Sequence, residues 1–180
     1  MSYSIRHARQ NDLETLSEIE YRAGTLFETC LDATGLTPEF LSRVSTPDSF
    51  EEALREGTLW VAENNPDELV GFALVRFVGG LPHLDELDVL PEHGQRGIGS
   101  QLLAAVCAWA ASAGHPALTL STFRDVPWNA PFYARRGFRI ISPADLSAEH
   151  VQLVADEAAR GLRPDLRAVM VRALTVRSDA

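Results

Sequence analysis

The segment LDVLPEHGQRGIGSQLLAAV, residues 87–106, contains the strongest structural signal in the sequence. It joins an apolar stretch that ends at Pro91 to a second apolar stretch, through a connection with glycines at positions 94, 97 and 99. Glycine costs backbone entropy wherever the chain is ordered, so this cluster indicates a special requirement. The apolar residues that follow recur at helical spacing and predict a helix over about residues 97–113. The N-terminus of such a helix has unsatisfied N–H groups that can bind a phosphate.

Two familiar glycine patterns do not fit this loop. A P-loop ends in Gly-Lys-Ser/Thr, which the segment lacks. A dinucleotide fingerprint needs a third glycine where Leu102 stands, and it follows a buried strand, whereas this strand carries acidic residues. Two interpretations remain. The loop is either a helix N-terminus that holds a diphosphate or a plain turn before a helix, and the spacing alone does not choose between them.

The elements around this segment predict a mixed, mostly antiparallel α/β sheet flanked by helices. Asn and Pro residues at 64–67 predict a turn that joins two strands into a hairpin, and strand–helix–strand order across the glycine loop predicts one parallel pair. The predicted strands are 4–8, 58–63, 68–78, 83–90, 117–122, 138–141 and 167–176. The predicted helices are about 12–24, 49–57, 97–113, 127–137 and 147–161.

Length and composition limit the function. The 180 residues predict a single domain over 1–176 with a flexible tail at 177–180. A net charge of −9 disfavours nucleic-acid binding and mildly favours a cationic substrate. No apolar run is long enough to span a membrane. Two cysteines, Cys30 and Cys107, are too few for a disulfide framework or a zinc site, so we expect a cytoplasmic location.

The glycine-loop segment resembles the acetyl-CoA loop of the GNAT N-acetyltransferase superfamily. In that family an apolar strand end with valine and proline leads into Gln/Arg-x-x-Gly-x-Gly/Ala, which opens a helix. The match rests on Leu87, Val89, Pro91, Gly97 and Gly99. The Gln/Arg position of the pattern holds Gly94, so Gln95 or Arg96 would supply the side-chain contact to phosphate.

A second segment, VPWNAPFYARRGFRII at residues 126–141, resembles the family's Asn-…-Phe/Leu-Tyr-x-x-x-Gly-Phe sequence. The matching positions are Asn129, Phe132, Tyr133, Gly137 and Phe138. The two segments occur in the family's order, with strands before and after. The resemblance therefore covers about residues 5–141.

This resemblance implies a cofactor and a place for it. Acetyl-CoA would bind as co-substrate, without a metal, between two splayed central strands. The main chain at Leu87 and Val89 would hold the pantetheine arm, and a backbone N–H near Val89 would face the thioester oxygen as an oxyanion hole. The expected cofactor-binding residues are Leu87, Val89, Gly94, Gln95, Arg96, Gly97, Ile98, Gly99, Ser100, Asn129 and Tyr133.

Acetyl transfer to an amine also requires a base and an acid. Tyr133 is the expected acid that protonates the leaving thiolate. The strand before the loop supplies the candidate bases, with Glu86 as first choice and His83 as second, acting directly or through water. Because side chains alternate along a strand, His83 is expected to share a face with Asp85. Glu86 and Asp88 are then expected on the opposite face, unless a bulge changes the parity.

The sequence does not name the amine. By the family resemblance, residues 21–40 are expected to border the acceptor pocket, with Tyr21, Phe27 and Phe40 as candidate walls. A non-catalytic acyl-CoA-binding module is the alternative from a different class, since Gly94 replaces the usual side chain. A longer acyl chain is a third, weaker hypothesis. Dimers are common in the family, so a homodimer is a further expectation.

Overall fold

The structure is a computed structural model that describes residues 3–65 and 68–175. These residues form one mixed sheet of seven strands in the order β1-β2-β3-β4-β5-β7-β6. All neighbouring strands are antiparallel except β4 and β5, which are parallel, so the predicted fold class is confirmed. The strands are β1 (Ser4–His7), β2 (Leu59–Asn65), β3 (Glu68–Val78), β4 (Leu81–Val89), β5 (Ala117–Phe123), β6 (Arg139–Ile140) and β7 (Arg167–Ala173).

The α-helices of the described residues lie on both faces of this sheet. They are α1 (Leu13–Gly24), α2 (Leu31–Thr34), α3 (Pro38–Leu41), α4 (Glu51–Glu56), α5 (Ile98–Ser112), α6 (Ala130–Ala134) and α7 (Ala148–Ala159). Helix α6 ends three residues before the predicted position, because the chain turns there and Gly137 adopts a left-handed φ of +84°. Residues 25–41, for which the sequence predicted no regular element, form α2, α3 and a 3-10 helix at Thr25–Cys30.

Some predictions fall on residues outside the described ranges. Pro66 and Asp67, the second half of the predicted hairpin turn, lie there, although β2 and β3 pair as an antiparallel hairpin as expected. The last residue of the predicted final strand and the tail at 177–180 lie there too. The single-domain boundary at residue 176 therefore stays a prediction.

A bulge in β4 changes which side chains share a face. Leu74 of β3 pairs with Glu86, but its neighbour Val75 pairs with Leu84, so Asp85 is the extra residue. Directly paired residues of antiparallel strands point to the same face. The pairs across β3 and β4 therefore place His83 on the same face as Glu86. The nominal alternation, which put His83 opposite Glu86, is wrong for this reason.

The central strands β4 and β5 separate along most of β4. Their ladder contains two pairs, His83 with Thr119 and Leu84 with Leu120. The part of β4 from Asp85 to Val89 pairs with β3 alone. This is the splayed strand pair that the family resemblance implied, and it leaves one edge of β4 available for an extended ligand.

The core separates into two layers, one on each side of the sheet. Helix α5 packs on one face, where its buried side chains include Leu102 and Val106. Helix α1 packs on the other face through Leu16 and Ile19. Helix α7 lies on the α1 face, since Glu157 accepts a hydrogen bond from Ser121 of β5. Glu86, Asp88 and His83 thus point to the layer of α1 and α7.

Candidate active site

The glycine loop lies at the surface and leads directly into α5. A short 3-10 helix at Pro91–His93 follows β4, and Gln95, with φ of +59°, and Gly97, with φ of +82°, then turn the chain. Gly97 is the N-cap of α5 and is exposed, whereas Ile98 is buried. The left-handed φ explains glycine at position 97. The first-turn amides of α5 therefore lie at the protein surface, where an anion can reach them.

Residues far away in sequence support this loop on two sides. The Tyr3 hydroxyl lies 3.2 Å from Nδ1 of His93 and accepts a hydrogen bond from Nη1 of Arg96 at 3.2 Å. On the other side, Arg22 of α1 pairs with Glu92 at 2.5 Å. The loop is therefore connected both to the beginning of the chain and to α1.

Arg136 is a residue near the loop that the sequence analysis missed. Its Nε donates to Ser100 Oγ at 3.1 Å, its Nη2 donates to the same oxygen, and its Nη1 donates to the carbonyl of Phe132 at 2.8 Å. The guanidinium carbon lies 3.6 Å from the centroid of the Phe132 ring. The one signal in the sequence is the pair of adjacent arginines after Tyr133, which an ordinary surface helix end also explains.

Leu87 and Val89 lie on the opposite face of β4 from Glu86, toward α5. Both side chains, together with Phe132, are near Gly99, where a Cβ would meet them at 3.7–4.0 Å. These are ordinary van der Waals distances, so packing against protein atoms does not by itself explain glycine at position 99. The structure thus brings the strand end, the loop and α6 together around the splay.

Three carboxyls meet on the α1 face of the splay. Glu86 and Asp88 come from β4, and Glu20 comes from α1, where its Oε2 accepts a hydrogen bond from the Ser45 N–H at 2.8 Å. Burial raises the pKa of Asp88 to about 7, and the Glu20 carboxyl adds to the rise. Burial, followed by the negative charge of Asp88, raises the pKa of Glu86 well above its usual range. Among the described residues, no group hydrogen-bonds Glu86 Oε2, which is buried.

His83 lies at the point where β4 and β5 part. It is 2% exposed, and its Nδ1 is 2.9 Å from Thr119 Oγ1. Burial lowers the pKa of His83 to about 4, so the imidazole is neutral at physiological pH. Its ring centroid is 6.0 Å from that of His150 in α7. The bulge thus places the two candidate bases, His83 and Glu86, on one face.

Tyr133 is buried in α6, on the far side of the splay from β4. Its ring packs edge-on against Phe132 and Phe138, with centroids 5.0 Å and 5.7 Å away. Burial raises the pKa of Tyr133, and the negative charge of Asp88 raises it further. The phenol therefore keeps its proton at neutral pH. Asn129, the N-cap of α6, donates from Nδ2 to Thr122 Oγ1 of β5 at 3.0 Å and so ties α6 to the sheet.

The irregular segment after α1 packs at the C-terminal end of β5. The Phe27 ring packs against Phe123 of β5 and against Trp128, with centroids 5.3 Å and 6.2 Å away. Trp128 is exposed, as is Tyr21. Phe40 lies in the same small apolar cluster as Phe27. The candidate wall residues Phe27 and Phe40 are thus brought together beside the C-terminal end of β5.

The sequence profile of the acetyltransferase (GNAT) family matches residues 26–138, well over half of the chain. This chain belongs to the GNAT family. It is 29% identical over 149 residues to the peptidyl-lysine N-acetyltransferase YjaB of Salmonella typhimurium, covering 81% of this chain and 90% of the relative. The Escherichia coli protein of the same name is 30% identical over 149 residues, covering 81% of this chain and 88% of the relative.

Solved GNAT structures share the fold. The PaiA N-acetyltransferase of Thermoplasma acidophilum, in complex with coenzyme A, superposes with a TM-score of 0.66 at 19% identity, covering 96% of this chain and 99% of that one. The chain is accordingly an acetyl-CoA-dependent N-acetyltransferase that transfers an acetyl group to an amine.

No cluster of three or more metal-ligating side chains occurs within residues 3–65 and 68–175. No helix in these ranges is long and apolar enough to cross a membrane.

Proposed function

We propose that this GNAT enzyme acetylates the side-chain amine of a protein lysine, with Glu86 as the general base and Tyr133 as the general acid. The observation that supports the proposal most is that two partly buried carboxyls of β4, Glu86 and Asp88, lie beside the splay of β4 and β5, where the charge of Asp88 also acts on the buried phenol of Tyr133. Glu86 and Asp88 lie on the α1 side, and the charge of Asp88 acts on Tyr133. An amine between them would contact a proton acceptor and, after attack, a proton donor.

The cofactor would bind on the side of α5. The surface amides at the start of α5, together with Gln95 and Arg96, would hold the diphosphate, and the unpaired edge of β4 at Leu87 and Val89 would hold the pantetheine arm. The N–H near Val89 would stabilise the oxyanion, an effect of about 3–4 kcal/mol for typical oxyanion-hole donors. The remaining residues of this proposed site are Gly94, Gly97, Ile98, Gly99, Ser100, Asn129 and Tyr133.

The raised pKa of Glu86 suits a lysine acceptor. A lysine amine has a pKa of about 10.4, so its neutral form costs about 4–5 kcal/mol at pH 7, whereas a peptide α-amine costs about 1 kcal/mol. A carboxylate with a raised pKa accepts the ammonium proton more readily than an ordinary one. His83, with its lowered pKa, is the weaker of the two candidate bases. The relatives, peptidyl-lysine N-acetyltransferases by name, support this acceptor class.

In the reaction, the Glu86 carboxylate takes a proton from the lysine ammonium, and the neutral amine attacks the thioester carbonyl. The tetrahedral intermediate then collapses, the carbon–sulfur bond breaks, and Tyr133 gives its proton to the thiolate. The positively charged nitrogen of the product gives its extra proton to the tyrosinate, which leaves a neutral amide and restores the phenol. The phenol stays protonated until this step because it is buried. Net charge −9 and the three carboxyls near the splay favour the approach of a cationic acceptor. Two free cysteines support a cytoplasmic enzyme.

A peptide series tests the acceptor. Acetyl-CoA is incubated with peptides of one sequence that carry an internal lysine with a blocked N-terminus, a free α-amine with no lysine, or neither. Thiol release is recorded for each peptide, and a polyamine is included as a small-molecule acceptor. We expect release with the lysine peptide and little with the α-amine peptide. Release confined to the α-amine peptide or to the polyamine would contradict the proposed acceptor.

A further inference from the structure

The first turn of α5 holds a hydroxyl whose partners are unusual. Ser100 Oγ accepts two hydrogen bonds from the guanidinium of Arg136, one from Nε at 3.1 Å and one from Nη2. A serine hydroxyl offers two acceptor lone pairs and one O–H donor. Because Arg136 occupies both lone pairs, the hydrogen-bonding capacity left to Ser100 is the donation of its O–H. A group that can only donate, polarised by a cation, suits a negatively charged acceptor.

Arg136 is held in place from two further directions. Its guanidinium stacks on the Phe132 ring, and its Nη1 donates to the Phe132 carbonyl. An arginine has five N–H donors, and these contacts use three of them. Two N–H groups are therefore available to a ligand without breaking the contacts to Ser100 and Phe132. The fixed geometry lowers the entropy that a second, ligand-directed bond would cost.

The place of this pair fits the anionic part of the cofactor. Ser100 is the third residue of α5, whose N-terminal dipole end favours negative charge. Phe132 lies beside Gly99, which belongs to the same first turn of α5 as Ser100. In a chain of net charge −9, a diphosphate needs local positive charge to offset the overall repulsion. Arg136 supplies such a charge at the helix terminus.

We propose that Ser100 and Arg136 form one anion-recognition pair for the diphosphate of acetyl-CoA, and that Arg136 is a cofactor-binding residue. The inference rests on the proposed cofactor site at the start of α5. The backbone N–H of Arg136 donates to the carbonyl of Tyr133 at 2.9 Å, so the proposed anion-binding side chain follows the helix that carries the proposed acid.

The test compares a thioester that carries the diphosphate and nucleotide part of the cofactor with one that lacks this part. Arg136→Leu, Arg136→Lys, Ser100→Ala and the double variant Ser100→Ala/Arg136→Leu are measured with coenzyme A by calorimetry, and with acetyl-CoA and S-acetyl-pantetheine by kcat/KM. We expect Arg136→Leu to weaken coenzyme A binding about 10- to 100-fold and to change kcat/KM for S-acetyl-pantetheine by less than about threefold. The Arg136→Lys variant should recover part of the affinity. Ser100→Ala should add little to the loss in Arg136→Leu, because the two groups act as a unit.

Several outcomes overturn the proposal. Equal losses with acetyl-CoA and S-acetyl-pantetheine would show that Arg136 only joins α6 to α5. Unchanged coenzyme A affinity in Arg136→Leu, when the wild type binds, would remove Arg136 from the cofactor site and leave the proposed function intact. Failure of the wild type to bind coenzyme A would overturn both. If Arg136→Leu does not fold, the Arg136→Lys and Ser100→Ala variants decide by the same comparison of the two thioesters.

Discussion

The Asp88 carboxyl is expected to make the fold less stable as the pH rises from about 4 to about 7. Burial, with the Glu20 carboxyl as second cause, raises its pKa from 3.8 to about 7. Between these two values the folded chain holds a proton that the unfolded chain has released. The contribution of this group to stability is thus complete below about pH 3.8 and is lost as the pH rises through 7. The loss is about 2 kcal/mol at pH 5 and about 4 kcal/mol at pH 8, relative to strongly acidic solution.

The Asp88→Asn variant removes this effect, because asparagine has nearly the same size and does not ionise. We expect the variant to be more stable than the wild type by up to about 4 kcal/mol at pH 8, and to gain about 2 kcal/mol less at pH 5. Urea unfolding at the two pH values measures both differences. Asp145→Asn, at an exposed carboxyl, is the control for the change of net charge. An equal gain at both pH values, or no gain at pH 8, would show that folding does not raise the pKa of Asp88.

The other predictions concern catalysis, the loop and α7. kcat/KM should rise with pH as Glu86 loses its proton, and Asp88→Asn should move this rise to lower pH, because it removes a negative charge that raises the pKa of Glu86; a pH–rate profile with an unshifted midpoint would argue against this coupling. Gly97→Ala puts a Cβ at φ +82° at a cost of about 1–2 kcal/mol, so KM for acetyl-CoA should rise several-fold with kcat little changed. Glu157, which is 6% exposed, pairs with Arg167 at 2.8 Å, so Glu157→Gln should lower the free energy of unfolding by about 3 kcal/mol. Urea unfolding measures this loss, and a loss under about 1 kcal/mol would show that water replaces the pair.

The strand before the loop shows both the reach and the limit of sequence reasoning. Residue type and position were enough to select Glu86 as a candidate base. The face that His83 occupies was not predictable, because the bulge at Asp85 shifts the alternation by one residue. No glycine marks this bulge, and the register of β4 against β3 sets it. The same shift brings His83 and Glu86 to one side.

The loop and the long helices followed from local rules. The glycines, the helical spacing after Gly97 and the hairpin order depend on neighbours in the sequence, so the sequence predicts them well. The contacts of Arg136 with Ser100 and of Tyr3 with His93 depend on tertiary structure. They join residues 36 and 90 positions apart, so no local pattern predicts them. The short helices within residues 25–41 are likewise held by the apolar cluster of Phe27 and Phe123.

The Tyr133→Phe variant provides the most direct test of the central claim, that a proton donor and a carboxylate base meet at the splay. Calorimetry measures coenzyme A affinity, and thiol release measures turnover of the lysine peptide under saturating acetyl-CoA. We expect coenzyme A affinity within about threefold of the wild type and a kcat lower by about 100-fold or more, the usual range for loss of a general acid. Wild-type turnover in Tyr133→Phe, or a loss confined to coenzyme A affinity, would contradict it.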